Sequence, residues 1–210
     1  AMNAGCGKEE VWTYDFTAIT ANVDDWIIED FGGTWEIDPT KGLSTYDANF
    51  SSPKAFTGDF TMEAEFVLDV DDDNDVYFEL YAADEAAWPP ENFIYSWFED
   101  IGWTENEEWY VQDIGGSFTY HDDETYVVEE IGDLAGLNRK GVTKWKLIKK
   151  GNSYEIWIGT NRIADFDSDY CRGDQYCFTY YATKSNGDGK VWLKNIKVTY
   201  SGSMVDTPTP

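Results

Sequence analysis

The chain has 210 residues, among them 10 Trp, 14 Tyr and 12 Phe, with a hydrophobic content of 42%. That supply of burial rules out disorder over the body of the chain and suits one well-cored domain. Its 41 acidic residues against 15 Lys and Arg leave a net charge of -26, which argues against nucleic acid or an anionic membrane as partner, because phosphates are held by clustered cations. Neutral ligands and divalent cations remain.

At the start of the chain, Ala4-Gly5-Cys6 resembles the tail of a bacterial lipoprotein signal, in which Cys6 would be lipidated after cleavage. The alternative is a linker cysteine, so residues 1–10 are read as a linker or anchor segment. Short strands are expected around 11–17, 34–37 and 43–46. From Phe60 the set Phe60, Met62, Ala64, Phe66 and Leu68 alternates with more polar residues, and Val76, Phe78, Leu80 and Ala82 repeat the device. These two runs form a hairpin.

The turn between them carries Asp71, Asp73 and Asp75, hard oxygen ligands at the alternate positions that calcium takes. It lacks the glycine and terminal glutamate of an EF-hand loop, so a solvated acidic turn is the first reading and a calcium site the second. Further strands are expected around 93–98, 108–113, 116–121, 125–130, 143–150, 153–158, 161–166, 175–182 and 189–200, separated by turns rich in Gly and Asn. The run 131–137 holds two glycines and reads as a turn rather than a helix.

Cys171 and Cys177 flank a polar turn at a spacing that a small disulfide loop can close, which would suit an exported protein. The final residues, 201–210, break the alternation and are rich in Pro, Thr and Ser, the composition of an extended linker. The domain is therefore expected to span 11–200, with every segment strand-like. About a dozen short antiparallel strands imply an all-β fold of two packed sheets, a β-sandwich.

Several segments carry a likeness beyond period. Phe56-Thr57-Gly58-Asp59-Phe60-Thr61-Met62-Glu63, the opening Gly33-Thr34-Trp35-Glu36-Ile37, the hairpin Trp145–Lys149 with Gly151–Ile158, and the closing Lys194-Asn195-Ile196-Lys197-Val198 resemble the concanavalin A-like lectin/glucanase superfamily, in particular its laminin-G-like and YesU-like bacterial domains. The resemblance implies a jelly-roll sandwich that binds or cleaves sugar polymers on one sheet, in some members with a bracing calcium ion. The glucanase string Glu-x-Asp-x-x-Glu is missing here, as are the Arg-rich and Gln-x-His strings of the alginate-lyase branch. Catalysis thus has no support from motifs.

Sugar binding needs flat apolar platforms flanked by groups that accept hydroxyl hydrogen bonds. Residues 77–120 supply both, and the candidate platforms are Tyr77, Tyr81, Trp88, Trp97, Trp103, Trp109 and Tyr110. Strands favour aromatic residues in any sandwich, so each is also a candidate core residue; Phe93, Tyr95 and Trp97 share one side of their strand and Ile94, Ser96 and Phe98 the other. For an enzyme the candidate carboxyls are Glu79, Glu99 and Asp100. The leading expectation is a carbohydrate-binding or lectin-like domain of an exported or cell-surface bacterial protein, with a neutral polysaccharide as partner and calcium as the one candidate cofactor. A glycoside hydrolase or lyase of the same fold is the second reading, and a surface adhesin or assembly subunit the third.

Overall fold

The computed structural model describes residues 8–69, 76–87, 90–101, 106–115, 126–127, 141–168, 170–173, 175–183 and 189–209. These residues form the strands β1 (Glu10–Asp15), β2 (Ile27–Asp38), β3 (Gly42–Thr57), β4 (Phe60–Asp69), β5 (Val76–Ala83), β6 (Asn92–Ile101), β7 (Asn106–Gly115), β8 (Tyr126–Val127), β9 (Val142–Lys150), β10 (Ser153–Ile158), β11 (Asn161–Asp167), β12 (Gln175–Thr183), β13 (Lys190–Tyr200) and β14 (Met204–Asp206). The expected strand at 116–121, most of that at 125–130, and the turn at 131–137 lie outside the described residues.

All pairings are antiparallel. The hydrogen-bonded path runs β11-β10-β9-β4-β13-β3-β12-β5-β6-β7-β8 and folds over on itself at β13 and β3, whose ladder pairs a single position, Leu193 with Leu43. A back layer of β11, β10, β9, β4, β13 and β1 therefore packs against a front layer built on β3, β12, β5, β6 and β7. Rings from the two layers meet between them: Phe66 of β4 lies 4.9 Å from Phe78 of β5, and Trp145 of β9 lies 5.9 Å from Phe178 of β12.

The period of two decides which residues enter this core. In β4 the burial alternates without a break from Phe60 to Leu68, and Phe78, Leu80 and Ala82 of β5 oppose it from the other layer; the two runs expected to form a hairpin thus pack face to face, β4 pairing with β9 and β13 and β5 with β12 and β6. Polar atoms enter the core both ways: the indole Nε1 atoms of Trp26 and Trp109 are buried without a partner among the described residues, whereas that of Trp145 is paired. The indole Nε1 of Trp145 donates to Ser96 Oγ at 2.8 Å, and Ser96 Oγ donates to the Leu80 carbonyl at 2.7 Å, a chain that ties back layer to front layer through the core.

Two strands are much longer than the sequence pattern suggests. β2 starts at Ile27 and crosses a bulge between Asp30 and Thr34, where Asp30 Oδ1 accepts the backbone N–H groups of Gly32 and Gly33. A Cβ on Gly33 would meet the Tyr46 carbonyl oxygen at 1.7 Å, so the close approach of β2 to β3 requires glycine there. β3 runs through Pro53, which falls where the β12 register shifts between Cys177 and Thr179; a bulge tolerates a residue with no N–H to give.

The segment expected to leave the domain as a linker packs on it instead. β14 pairs with Lys54–Phe56 of β3, Thr207 Oγ1 donates to the Ser52 carbonyl at 2.7 Å, and the Pro208 carbonyl accepts the Ala86 N–H. Composition misled here because three residues of extended chain are enough to satisfy a free strand. One test of the core follows from its polar chain. Ser96→Ala strands the Trp145 N–H in the core and should lower unfolding stability by about 1–3 kcal/mol, read as a shift in urea midpoint at unchanged slope; an unshifted midpoint would refute the role given to that bond.

Candidate functional site

The front layer is buried on both sides. Its inward residues belong to the core just described, whereas Ala55, Tyr81, Ala83, Phe93, Tyr95 and Cys177 form a second apolar cluster on its outer face, with Trp97 and Val205 packed against it. The odd-numbered residues of β5 and β6 make this face, which resolves the two-sided pattern of β6: Ile94, Ser96 and Phe98 turn inward and Phe93, Tyr95 and Trp97 outward.

Register aligns one row across this face. Glu29 of β2 stands opposite Asn49 of β3, Asn49 opposite Tyr181 of β12, Tyr181 opposite Glu79 of β5, and Glu79 opposite Trp97 of β6. Directly opposed residues project to the same face, so the row spans five strands, roughly 19 Å at the usual spacing. Glu29, Tyr181 and Trp97 are half-buried. Beside the row, Tyr77 sits edge-on to Tyr181 at 6.3 Å and Phe31 edge-on to Tyr181 at 6.4 Å, while Trp97 leans on Tyr95 at 4.7 Å.

Glu79 lies at the middle of the row and is 3% exposed. Its Oε1 accepts the Tyr77 hydroxyl at 2.6 Å and the Tyr95 hydroxyl, and those two hydroxyls are 2.5 Å apart. Its Oε2 is buried without a hydrogen-bond partner. Burial disfavours the charged form and outweighs the two tyrosine bonds, pushing the Glu79 carboxyl up to about 7. Burial likewise raises Glu29, against the opposing bond from Asn49, and places the Tyr81, Tyr95 and Tyr181 hydroxyls above their ordinary value.

No protein-family model matches this sequence, and no curated protein matches it. Solved structures do match its shape. A glycoside hydrolase family 16 endo-glucanase from Bacteroides ovatus superposes with TM-score 0.65 at 13% identity, covering 89% of this chain and 99% of that one. The CBM2 module of an evolved Dit protein from Lactobacillus casei BL23 phage J-1 gives 0.67 at 7% identity over 94% and 98%. The Emp46p carbohydrate recognition domain in its potassium-bound form gives 0.62 at 8% identity over 86% and 90%. The fold is a concanavalin A-like jelly roll.

Within the jelly roll, the expected site residues fall into distinct places. Tyr77 and Trp97 are half-buried on the outer face of the front layer, with Glu79 between them in the floor. Tyr81 is on the same face but fully buried against Phe93 and Tyr95, so it supports the floor rather than offering a platform. Trp109 is a core residue: it is 2% exposed and packs on Phe78 and Phe98 between the layers. Tyr110 is the register partner of Trp97, Glu99 that of Tyr77 and Asp100 that of Val76. Trp88, Trp103, Asp71, Asp73, Asp75 and Cys6 lie outside the described residues; among those described, no group of three or more His, Cys, Asp and Glu side chains is arranged to hold a metal.

The expected disulfide is not formed. Cys171 and Cys177 are both buried thiols with no disulfide between them, and they belong to different clusters. Cys171 sits in the core beneath Tyr154, which donates to its carbonyl, whereas Cys177 projects to the outer face of β12. A spacing of six residues was compatible with closure, but Cys171 lies in the connection before β12 and enters the core between the layers, whereas Cys177 faces outward from β12. Burial raises both thiols, Cys177 up to about 12, which keeps them unreactive.

Sequence reasoning missed Glu29, Asn49 and Tyr181. Their membership depends on the pairing of β2, β3 and β12, and no local pattern encodes it. Trp35 is a further ring at the surface: it rests edge-on against Phe50 but is 40% exposed, in a groove of about 410 Å³ shared with Tyr46, Thr183 and Lys190.

The Glu79 carboxyl makes stability pH-dependent in a defined direction. Its folded value of about 7 exceeds the ordinary 4.5, so the stability it contributes is whole below 4.5 and is lost as pH rises through 7. The loss is on the order of 3 kcal/mol. Denaturant unfolding from pH 4.5 to 8.5 should show Glu79→Gln losing less stability than the wild type over that window; parallel curves would exclude a buried titrating Glu79.

Proposed function

We propose that the chain is a carbohydrate-binding domain that holds a neutral polysaccharide along the outer face of its front layer. The observation that carries this reading is the row Glu29–Asn49–Tyr181–Glu79–Trp97. It interleaves half-exposed rings, which match the C–H faces of pyranoses, with carboxyl and amide groups that accept hydroxyl hydrogen bonds. The likeness to a glucanase, a CBM2 module and a carbohydrate recognition domain supports it at the level of fold. The net charge of -26 favours an uncharged polymer over an acidic one.

A glycoside hydrolase of the same fold is the second reading, and one observation favours it: a carboxyl near 7 on the candidate face is suited to general acid work. It requires a second carboxyl across the sugar, for which Glu99 and Asp100 on the neighbouring strand are the candidates. Export to the cell surface rests on Ala4-Gly5-Cys6 alone, because the two buried thiols, with no disulfide between them, do not require an oxidising compartment.

A panel of neutral polysaccharides, screened with calcium and again with chelator, tests the reading. Trp97→Ala and Tyr181→Ala should each weaken the polymer that binds by about tenfold or more, while Trp157→Ala, on the back layer between Lys146 and Arg162, should leave affinity unchanged. Release of reducing ends, abolished by Glu79→Gln, would move the assignment to the hydrolase. A blank panel with concentration-dependent association in light scattering would move it to an assembly subunit.

A further inference from the structure

The three oxygens at the centre of the row set a requirement on protons. Glu79 Oε1, the Tyr77 hydroxyl and the Tyr95 hydroxyl are all within hydrogen-bond distance of one another. Three oxygens in a closed ring have three edges, and each edge needs a proton between its two oxygens. Two tyrosines supply at most two protons, since a phenol carries one O–H. An ionised carboxylate supplies none, and would leave one edge as two lone-pair oxygens in contact inside a buried site. A carboxylic acid protonated on Oε1 supplies the third and closes the ring.

The same protonation leaves Oε2 as a bare carbonyl oxygen. It is buried without a partner in a residue that is 3% exposed, and an acceptor left in that state is destabilising until something donates to it. Glu79 shares its face with the half-buried Tyr77 and Trp97, the second its register partner, the rings assigned above to a sugar chain.

Resting on that functional reading, we propose that Glu79 serves the site as a neutral acid, its proton closing the ring with Tyr77 and Tyr95, and that its Oε2 accepts one hydroxyl of the bound glycan. The groups around it agree with a neutral acid. Tyr81 of β5, Tyr95 of β6, and Tyr181 and Cys177 of β12 share its face, and burial raises each of these phenols and the thiol, which keeps them protonated; the Tyr77 hydroxyl bonds to it directly. Glu29 of β2 and Asp47 of β3, which accepts the Tyr181 hydroxyl at 2.9 Å, add only negative charge. Glu99 of β6 and Glu108 of β7 follow Tyr77 in register. No cation acts on Glu79 among the described residues. A sugar laid over the face removes the remaining water, and covering a charged carboxylate there outweighs the gain from one charge-assisted hydrogen bond.

Two measurements on the full chain test this. The first needs no sugar: in protein labelled with carboxyl-¹³C glutamate, the resonance missing from Glu79→Gln should titrate near pH 7. A midpoint at 5 or below overturns the neutral acid whatever the protein binds. The second uses mixed-linkage β-glucan and β-1,3-glucan as probes in calorimetry from pH 5.5 to 8.5. Wild-type affinity should be level below pH 7 and fall by up to about tenfold per pH unit above it, and saturation should raise the carboxyl midpoint. Glu79→Gln, whose amide gives one donor to the ring and keeps one acceptor, should bind with no fall above pH 7; Glu79→Ala should lose about tenfold or more at every pH. Wild-type binding that strengthens above pH 7, or that Glu79→Gln abolishes, overturns the acceptor role while leaving the carbohydrate-binding reading in place. Failure of the wild type to bind either glucan overturns the acceptor role for β-glucans, and a blank across the whole polysaccharide panel overturns the functional reading with it.

Discussion

The front layer has two buried faces, and most of the molecule answers to that constraint. A strand in such a layer cannot divide its residues into apolar inside and polar outside. β12 illustrates it: Tyr176 to Tyr180 are buried without interruption, the even positions by the back layer and Cys177 by the aromatic rings of its own face. Backbone groups in the layer find partners in the ladder. Among the described residues the side chains of the outer face pack on one another, through rings several of which carry hydroxyls.

This arrangement explains how a protein with 41 acidic residues comes to hold one of them under a roof of phenols. Other carboxylates sit at turns and on exposed strand faces, where backbone N–H groups or lysines meet them: Asp38 caps Thr40 and Lys41, and Glu63 pairs with Lys197 across β4 and β13. Such surface pairs stabilise little. Glu79 differs because register places it between Tyr181 and Trp97, and its donors among the described residues are the hydroxyls of Tyr77 and Tyr95. Its electrostatics follow from packing, not from neighbouring charge.

The fold class was legible because β4, β5, β9 and β10 alternate with period two and their turns carry Gly and Asn. The candidate face was legible in part. Tyr77, Glu79 and Trp97 could be named from the aromatic segment, but which face of β6 is inward depends on β4 and β9 packing from the other side, through contacts such as Trp145 to Ser96. Trp109, a candidate for both platform and core, falls in the core for the same reason. Glu29, Asn49 and Tyr181 were invisible because they come from strands 20 to 130 residues apart in sequence, and β2 and β3 hide their own length behind a glycine bulge and Pro53.

β14 has a bearing on how the domain's borders are drawn. A cut after Tyr200, where the hydrophobic alternation ends, would strip Met204–Asp206 from β3 and remove Val205 from the outer cluster. The Lys54–Phe56 stretch of β3 would then present unpaired N–H and C=O groups beside an uncovered apolar patch, the combination through which sheets from separate chains join edge to edge. The last residues therefore act as a guard strand: they keep β3 from recruiting a neighbour, and they let this chain carry a broad aromatic face without becoming adhesive along its rim.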